Sequence, residues 1–362
     1  MPASAHHRAV NSDGPNHRRS NEAHCTQARN GRSVRGSRPR SHRLRRRRHP
    51  RSGGAESAAP AEEPIEITFG YIADFNGASV HAIAAELGLW EKYGLKAETP
   101  VFTNGPLQIQ ALGTGDLDFG YVGPGAMWLP ASGQAQVISV NATGNGDRVI
   151  AQPGIESIKD LKGKTVAVPE GTSGDMILNL ALESAGMTIA DVEKVVMDPA
   201  TAVAAFASGQ VDAAGLWYPL ISTIETQVPD LNILASNEDF KDTVAFASGF
   251  VGANDFVAEN PEATTKVLQV VREALDYRKA NLDEVIALTA KMMKLDPEVV
   301  KTDAGNVTYF DSAELDALIE DGTVHSWLTG MNNYFVGAGK VTDPADPATY
   351  FTSELFLAAG TK

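Results

Sequence analysis

One pattern occurs twice along this chain and narrows the folds open to it. Residues 111–124 read Ala-Leu-Gly-Thr-Gly-Asp-Leu-Asp-Phe-Gly-Tyr-Val-Gly-Pro, and residues 205–219 read Ala-Phe-Ala-Ser-Gly-Gln-Val-Asp-Ala-Ala-Gly-Leu-Trp-Tyr-Pro. Each copy has the form of an amphipathic helix end, a glycine turn and a short apolar strand that stops at a Gly, Pro or aromatic corner. The upstream segments correspond too. A strand over 68–73 feeds a helix over 79–93 that closes on Gly94-Leu95, and a strand over 165–169 feeds a helix over 173–184 that closes on Gly186-Met187, the glycine ending expected of a helix C-terminus. Strands over 97–102 and 194–197 follow, then Asn104-Gly105-Pro106 and Asp198-Pro199 as helix starts. Each half is therefore expected to be β-α-β-α-β with a largely parallel sheet, because such crossovers are right-handed. Two halves of this kind predict two α/β lobes and a cleft beyond the carboxyl ends of their strands.

The net charge of −14 averages two unlike segments. Residues 1–54 carry 14 Arg and no Lys against Asp13 and Glu22, and also six of the eight histidines and the lone Cys25; the remainder carries 17 basic against 43 acidic residues. So acidic a body argues against nucleic acid as its partner. Residues 1–64 read as a disordered basic extension and a Gly/Ser/Ala/Glu/Pro linker, with Arg43 to Arg51 open to a second reading as a basic arm. Arg-rich, Lys-free composition with no apolar run also has the look of a misplaced start that has lost a secretory or lipoprotein signal. No later segment has the roughly 18 apolar residues of a membrane span.

A search for catalytic or metal chemistry is mostly negative. Lys162-Gly163-Lys164-Thr165 lacks the leading glycine of a phosphate loop, since that position is Ile158, and Gly171-Thr172-Ser173-Gly174 is not a nucleophile elbow. The body offers only His81 and His325 as bases; His81, within the first helix, is expected at the surface or the cleft edge. No metal-ligand spacing is present. No catalytic residue, metal or cofactor is expected.

What remains is a set of helix starts that face a common cleft: Asp74-Phe75-Asn76-Gly77-Ala78-Ser79, Gly123-Pro124-Gly125, and Glu170-Gly171-Thr172-Ser173. Small residues there leave backbone N–H groups, hydroxyls and the positive end of a helix dipole, which hold an oxyanion without a cationic side chain. Ordinary helix capping accounts for any one of them alone. Trp217 and Tyr218 either close over the carbon atoms of a small ligand or pack in the core. Arg148, the lone arginine between 52 and 271, is either an anion clamp or a solvated residue near the interlobe crossover.

In this order the junctions resemble the substrate-binding proteins of nitrate/sulfonate/taurine-type ABC transporters. The matching stretches are Ile67 to Tyr71, Ala111 to Asp116 with Gly123-Pro124, Ile158 to Pro169, Gly171-Thr172-Ser173, Leu216 to Pro219 and Asn260-Pro261-Glu262; Gly305 to Phe310 and Phe335 to Phe356 look closest to the taurine-binding branch. The resemblance implies a two-lobed periplasmic-binding-protein fold (type II), with two mixed sheets flanked by helices and a hinge crossed twice, near 142–151 and 243–252. Lobe 1 would comprise 65–147 with 248–362, and lobe 2 148–247. By the same resemblance the ligand contacts fall on Asn76, Gly77, Gly123, Gly125, Thr172 and Ser173, with Asn145 at the first crossing and Trp217 and Tyr218 as walls. Taurine-binding members carry a carboxylate where Ser248 stands; Asp175 either supplies it from the other lobe or stabilises its helix N-terminus. The implied function is a monomeric, exported solute receptor, periplasmic or at the cell surface, with membrane contact only through a lipid anchor. It would hand taurine or another aliphatic sulfonate to an ABC permease and its ATPase. Nitrate, an aromatic carboxylate such as phthalate, and an enzyme on the same fold are the alternatives.

Overall fold

The computed structural model describes residues 63–361. The basic extension and most of the linker, residues 1–62, lie outside the described residues, as do the basic-arm, lost-signal and lipid-anchor expectations placed on them.

The elements run β1 (Ile65–Thr68), β2 (Tyr71–Ile72), α1 (Phe75–Glu86), α2 (Leu89–Lys92), β3 (Leu95–Glu98), β4 (Val101–Phe102), α3 (Gly105–Thr114), β5 (Phe119–Val122), α4 (Trp128–Ala131) and β6 (Gln136–Gly144). Then come β7 (Asp147–Ala151), β8 (Thr165–Val168), α5 (Ser173–Ser184), β9 (Glu193–Val196), α6 (Pro199–Ala207), β10 (Ala213–Trp217), α7 (Leu220–Glu225) and β11 (Asn232–Ser236). The chain ends with β12 (Ala247–Gly252), α8 (Asn254–Glu259), α9 (Pro261–Ala280), α10 (Leu282–Met293), α11 (Pro297–Ala304), β13 (Val307–Tyr309), α12 (Ser312–Glu320), α13 (Thr323–Gly337), α14 (Pro347–Tyr350) and α15 (Ser353–Ala358).

The repeat is built into the sheets. One has the order β9-β8-β10-β7-β11. In the other, β12 lies between β5 and β6, β13 flanks β6, and a parallel bridge from Phe69 to Phe119 ties on the β1–β3 and β2–β4 pairs. Pairing is parallel around β8 and between β1 and β3, but β7 runs antiparallel to β10 and β11, and β12 runs antiparallel to β5 and β6. The sheets are thus mixed rather than largely parallel. The reason is topological: β7 and β12 are the strands that the chain enters directly after leaving the other sheet, and neither arrives through a helical crossover. Equivalent side chains fasten both sheets. Asp118 accepts from Thr68 N (2.7 Å) and Oγ1 (2.9 Å), and Asp212 accepts from Thr165 N (2.9 Å) and Oγ1 (2.8 Å).

Helix ends follow local chemistry. Asn104 and Asp198 cap α3 and α6 by accepting from Leu107 N and Thr201 N, with Pro106 and Pro199 in the first turns. The first helix departs from its expected span of 79–93. Asp74 caps it by accepting from Gly77 N at 2.7 Å, which draws the start forward to Phe75, and Gly88, at φ 62°, ends it before the separate turn α2. Helix α5 occupies the expected 173–184 and abuts β10 through two glycines; a Cβ on Gly174 would stand 2.2 Å from Gly215 O. His81, expected at the surface or cleft edge, is 1% exposed, with its ring 4.6 Å from that of Phe69 and 5.2 Å from that of Tyr71. Burial pushes its imidazole down to about 3, so it is neutral. No helix among the described residues is long and apolar enough to cross a membrane.

Candidate functional site

A cavity of about 50 Å³ lies between the two sheets. From the first sheet it takes the end of β2, the starts of α1 and α3, the turn after β5, and residues of β12, α11 and β13; from the second it takes the start of α5 and the end of β10. Gly144, Gly146 and Asp147, where the chain passes between sheets, complete it. The placement follows from the topology, because strand ends in open α/β sheets leave a crevice that helix N-termini rim.

Of the expected contacts, the structure brings Asn76, Gly123, Thr172, Ser173, Trp217, Tyr218 and Ser248 to the cavity wall. Gly77, Gly125, Asn145 and Asp175 stand apart from it. Gly77 is packed against Ile72, whose carbonyl would lie 2.6 Å from an added Cβ. Gly125 meets the backbone of Thr172 so closely that a Cβ would fall 2.1 Å from its carbonyl. Asn145 braces the crossing: its N–H donates to Asn306 O at 2.7 Å and its carbonyl accepts from Arg148 Nη1 at 2.7 Å. Arg148 also reaches Asp147 O and Asn306 Oδ1 and stacks on Tyr218, so it is a half-buried brace, neither solvated nor a wall of the cavity.

Asp175 faces the other way, into an ion-pair group. Its Oδ2 accepts from Lys340 Nζ (2.8 Å) and Gly171 N (3.0 Å), and Lys194 Nζ lies 2.9 Å from Oδ1. Burial pushes this carboxyl up, but the two ammoniums and the Gly171 N–H outweigh it and hold it below the ordinary carboxylate value. The suggestion that Asp175 supplies the missing carboxylate therefore has no support in the geometry; it stabilises its helix and its neighbours.

Three carboxylates do line the cavity, of which sequence reasoning placed only Asp74, within a helix start at the cleft, and gave none a role as a ligand contact: Asp74, Asp147 and Asp303, which are 7%, 4% and 3% exposed. Asp74 is the α1 cap. Asp303, on α11, accepts from Phe75 N at 2.7 Å, so two carboxylates share one helix N-terminus. Asp147 is held by Asn237 Nδ2 at 2.8 Å and by Ser173 at the start of α5. Among the described residues none of the three has a cationic side chain within ion-pair distance. Burial, followed by the charge of Asp147, pushes Asp74 up to about 7. Burial and then the charge of Asp74 push Asp303 well above its ordinary value, while burial raises Asp147 against the hydrogen bonds of Ser173 and Asn237. The three would be negative in water and resist that charge here. Asp74 was legible as a cap; nothing in the pattern of residues 297–304 marks Asp303.

At the α5 N-terminus, expected to receive an oxyanion, the hydroxyls are taken by the chain itself, since that of Thr172 donates to Pro169 O at 2.6 Å and Ser173 serves Asp147, while no side chain caps the helix N–H groups. Ser248 donates to Ala142 O at 3.3 Å. Asn76 Oδ1 is buried with no donor. The described residues hold no group of three or more His, Cys, Asp or Glu arranged to bind a metal ion.

Two sheets, two crossings and a cavity between them define the two-lobed fold of the type II periplasmic binding proteins, and solved structures share it. The periplasmic nitrate-binding protein NrtA from Synechocystis PCC 6803 is similar with a TM-score of 0.68 and 18% identity, over 82% of this chain and 88% of that one. The alkanesulfonate-binding protein SsuA from Xanthomonas axonopodis pv. citri, bound to MOPS, gives 0.59 and 23% over 75% and 96%. The chain belongs to the NMT1/THI5-like family, whose profile matches residues 79–285. A protein of Brucella abortus (strain 2308), named as a binding protein with no substrate, is 53% identical over 81% of this chain and 92% of its own length. The taurine-binding periplasmic protein of Escherichia coli (strain K12) is 24% identical over 82% and 93%. The fold also serves chemistry: the desulfurization enzyme DSZB is similar with a TM-score of 0.59 and 15% identity, over 82% of this chain and 98% of that one.

Proposed function

We propose that this chain is the exported solute receptor of an ABC importer, which captures a small polar organic molecule between its lobes and passes it to a permease driven by a separate ATPase. The observation that carries the reading is the enclosed cavity at the double crossing, lined from both sheets. In this proposal lobe 1 is 65–147 with 248–362, lobe 2 is 148–247, and the segments at 145–146 and 237–246 form the hinge of a closing motion. The family and the periplasmic binding proteins among the relatives support capture over catalysis, since fold alone does not separate the two.

Among the ligands suggested by relatives and by the sequence, taurine suits the cavity better than a plain alkanesulfonate, nitrate or phthalate. Its ammonium can meet Asp74 and Asp303 while its sulfonate lies toward Ser173, whereas the other three bring only acceptors to a wall already rich in acceptors. The cavity, about 50 Å³, also favours a ligand of few heavy atoms. Calorimetric titration of the full chain with taurine, ethanesulfonate, nitrate and phthalate tests this. Binding of taurine well above the other three is expected; binding of ethanesulfonate or nitrate as tight as that of taurine refutes the choice of ligand, and an exported chain that binds no small solute refutes the receptor.

A further inference from the structure

The charged groups on the wall of the cavity are all carboxyls. Asp74, Asp147 and Asp303 present carboxylates that are each more than nine-tenths buried, and Asn76 contributes a buried Oδ1 that no protein donor reaches. No residue lining the cavity is Lys, Arg or His. At the start of α5 the Ser173 hydroxyl serves Asp147, so a carboxyl stands beside the helix N–H groups there too. A sulfonate or carboxylate has oxygens and no hydrogens to give, so it would leave every one of these acceptors unpaired and add to the negative charge. The carboxylates are also not arranged to ligate one metal ion. They surround a volume that a protonated nitrogen with several N–H groups can fill, with Trp217 and Tyr218 against its carbon atoms.

Resting on the receptor reading above, we infer that the ligand is a small organic cation, an alkylammonium or an amidinium, recognised through Asp74, Asp147 and Asp303, and that an acid group on it is dispensable. The carboxylates come from three separate places: the cap of α1, the first crossing and α11. A cation between them joins both sheets, which gives ligand and closure a common cause: like charges that oppose approach become partners once a positive centre lies among them.

The test is the thermal unfolding of the full chain at pH 8 with ethylammonium, acetamidinium, guanidinium, ethanesulfonate or acetate at 10 mM (roughly the concentration needed for weak fragments). At least one cation is expected to raise the melting temperature by several degrees, and the two acids by none. The rise should disappear in Asp303→Asn and in Asp147→Asn, each of which keeps the neutral hydrogen bonds of its site, and should shrink at pH 5, where the carboxylates hold protons. A rise with the acids and none with the cations leaves the receptor standing and overturns the cation. The same holds if the cation effect survives in both variants. Silence toward all five probes in a folded chain overturns the cation and leaves the receptor to be decided by the calorimetric titration above.

Discussion

Replacing Asp74 with Asn should stabilise the unliganded protein, and only on the alkaline side. Asp74 is buried, and its carboxyl is raised from 3.8 to about 7, chiefly by that burial. Between those two values the folded chain keeps a proton that the unfolded chain has released. The stabilisation from this group is complete below about pH 4 and is lost as pH rises through 7. A shift of about three units corresponds to on the order of 4 kcal/mol at 1.36 kcal/mol per unit. Asp303 competes for the same helix end, so a gain of about 2 to 4 kcal/mol at pH 8.5 is the expectation. Asparagine caps a helix about as well as aspartate, so the hydrogen bond to Gly77 N survives. At roughly 2–4 °C per kcal/mol for a domain of this size, Asp74→Asn should melt about 5 to 10 °C above the parent at pH 8.5 and within about 2 °C of it at pH 4.5. Calorimetric melts at the two pH values measure this. A variant that melts below the parent at pH 8.5, or a gap that does not change with pH, would refute the buried-carboxylate reasoning. The double variant with Asp303→Asn should gain less than the sum, because relief of one carboxyl lets the other ionise.

Other consequences are equally direct. Gly125→Ala puts a methyl group into the Thr172 carbonyl, where backbone cannot yield, so it should hold the lobes apart and weaken capture of the best ligand about tenfold or more; a scattering curve that shows the compact form, with unchanged affinity, goes against this. Lys340→Ala leaves Asp175 with Lys194 as its one ammonium within ion-pair distance and should cost about 1 to 3 kcal/mol in urea unfolding at pH 7; a cost under about 0.5 kcal/mol means the pair is idle. His81 is held near 3 by burial, so the parent loses stability as pH falls below 6.5 toward that value. His81→Phe should therefore gain about 2 kcal/mol on the parent between pH 7 and pH 5, and a pH-independent difference would show that the imidazole is hydrated.

The parts of this molecule that depend on near neighbours were legible in the sequence. Helix α5 begins and ends where its glycines and hydroxyls place it, and the Asn104 and Asp198 caps lie where Asn-Gly-Pro and Asp-Pro stand. The start of α1 was missed because the helix was expected to begin at Ser79, the far end of the Asp74–Ser79 junction, whereas the Asp74 carboxylate accepts from Gly77 N and opens it at Phe75. The carboxylate set was hidden for a different reason. Asp303 meets the α1 N-terminus across 228 positions, and Lys340 meets Asp175 across 165. A lone Asp in the amphipathic stretch 297–304 has the pattern of a solvated face. Only the tertiary fold shows that this face is closed by α1 and by the crossing.

That concealment explains how one scaffold can present opposite charge to its ligands. Strand ends and helix N-termini supply N–H groups at fixed places in any chain with this topology, and their partial positive charge invites an anion. Here Asp74 and Asp303 take up the start of α1, so its dipole end is quenched from within, and Asp147 takes up the Ser173 hydroxyl beside the N–H groups that open α5. If the ligand is the cation inferred above, three side chains are enough to invert the preference while the framework stays unchanged. Ligand charge in this fold therefore depends on whether the residues beside each helix start leave its N–H groups open or fill them, and overall similarity to anion-binding relatives constrains the architecture far more tightly than the sign of what it holds.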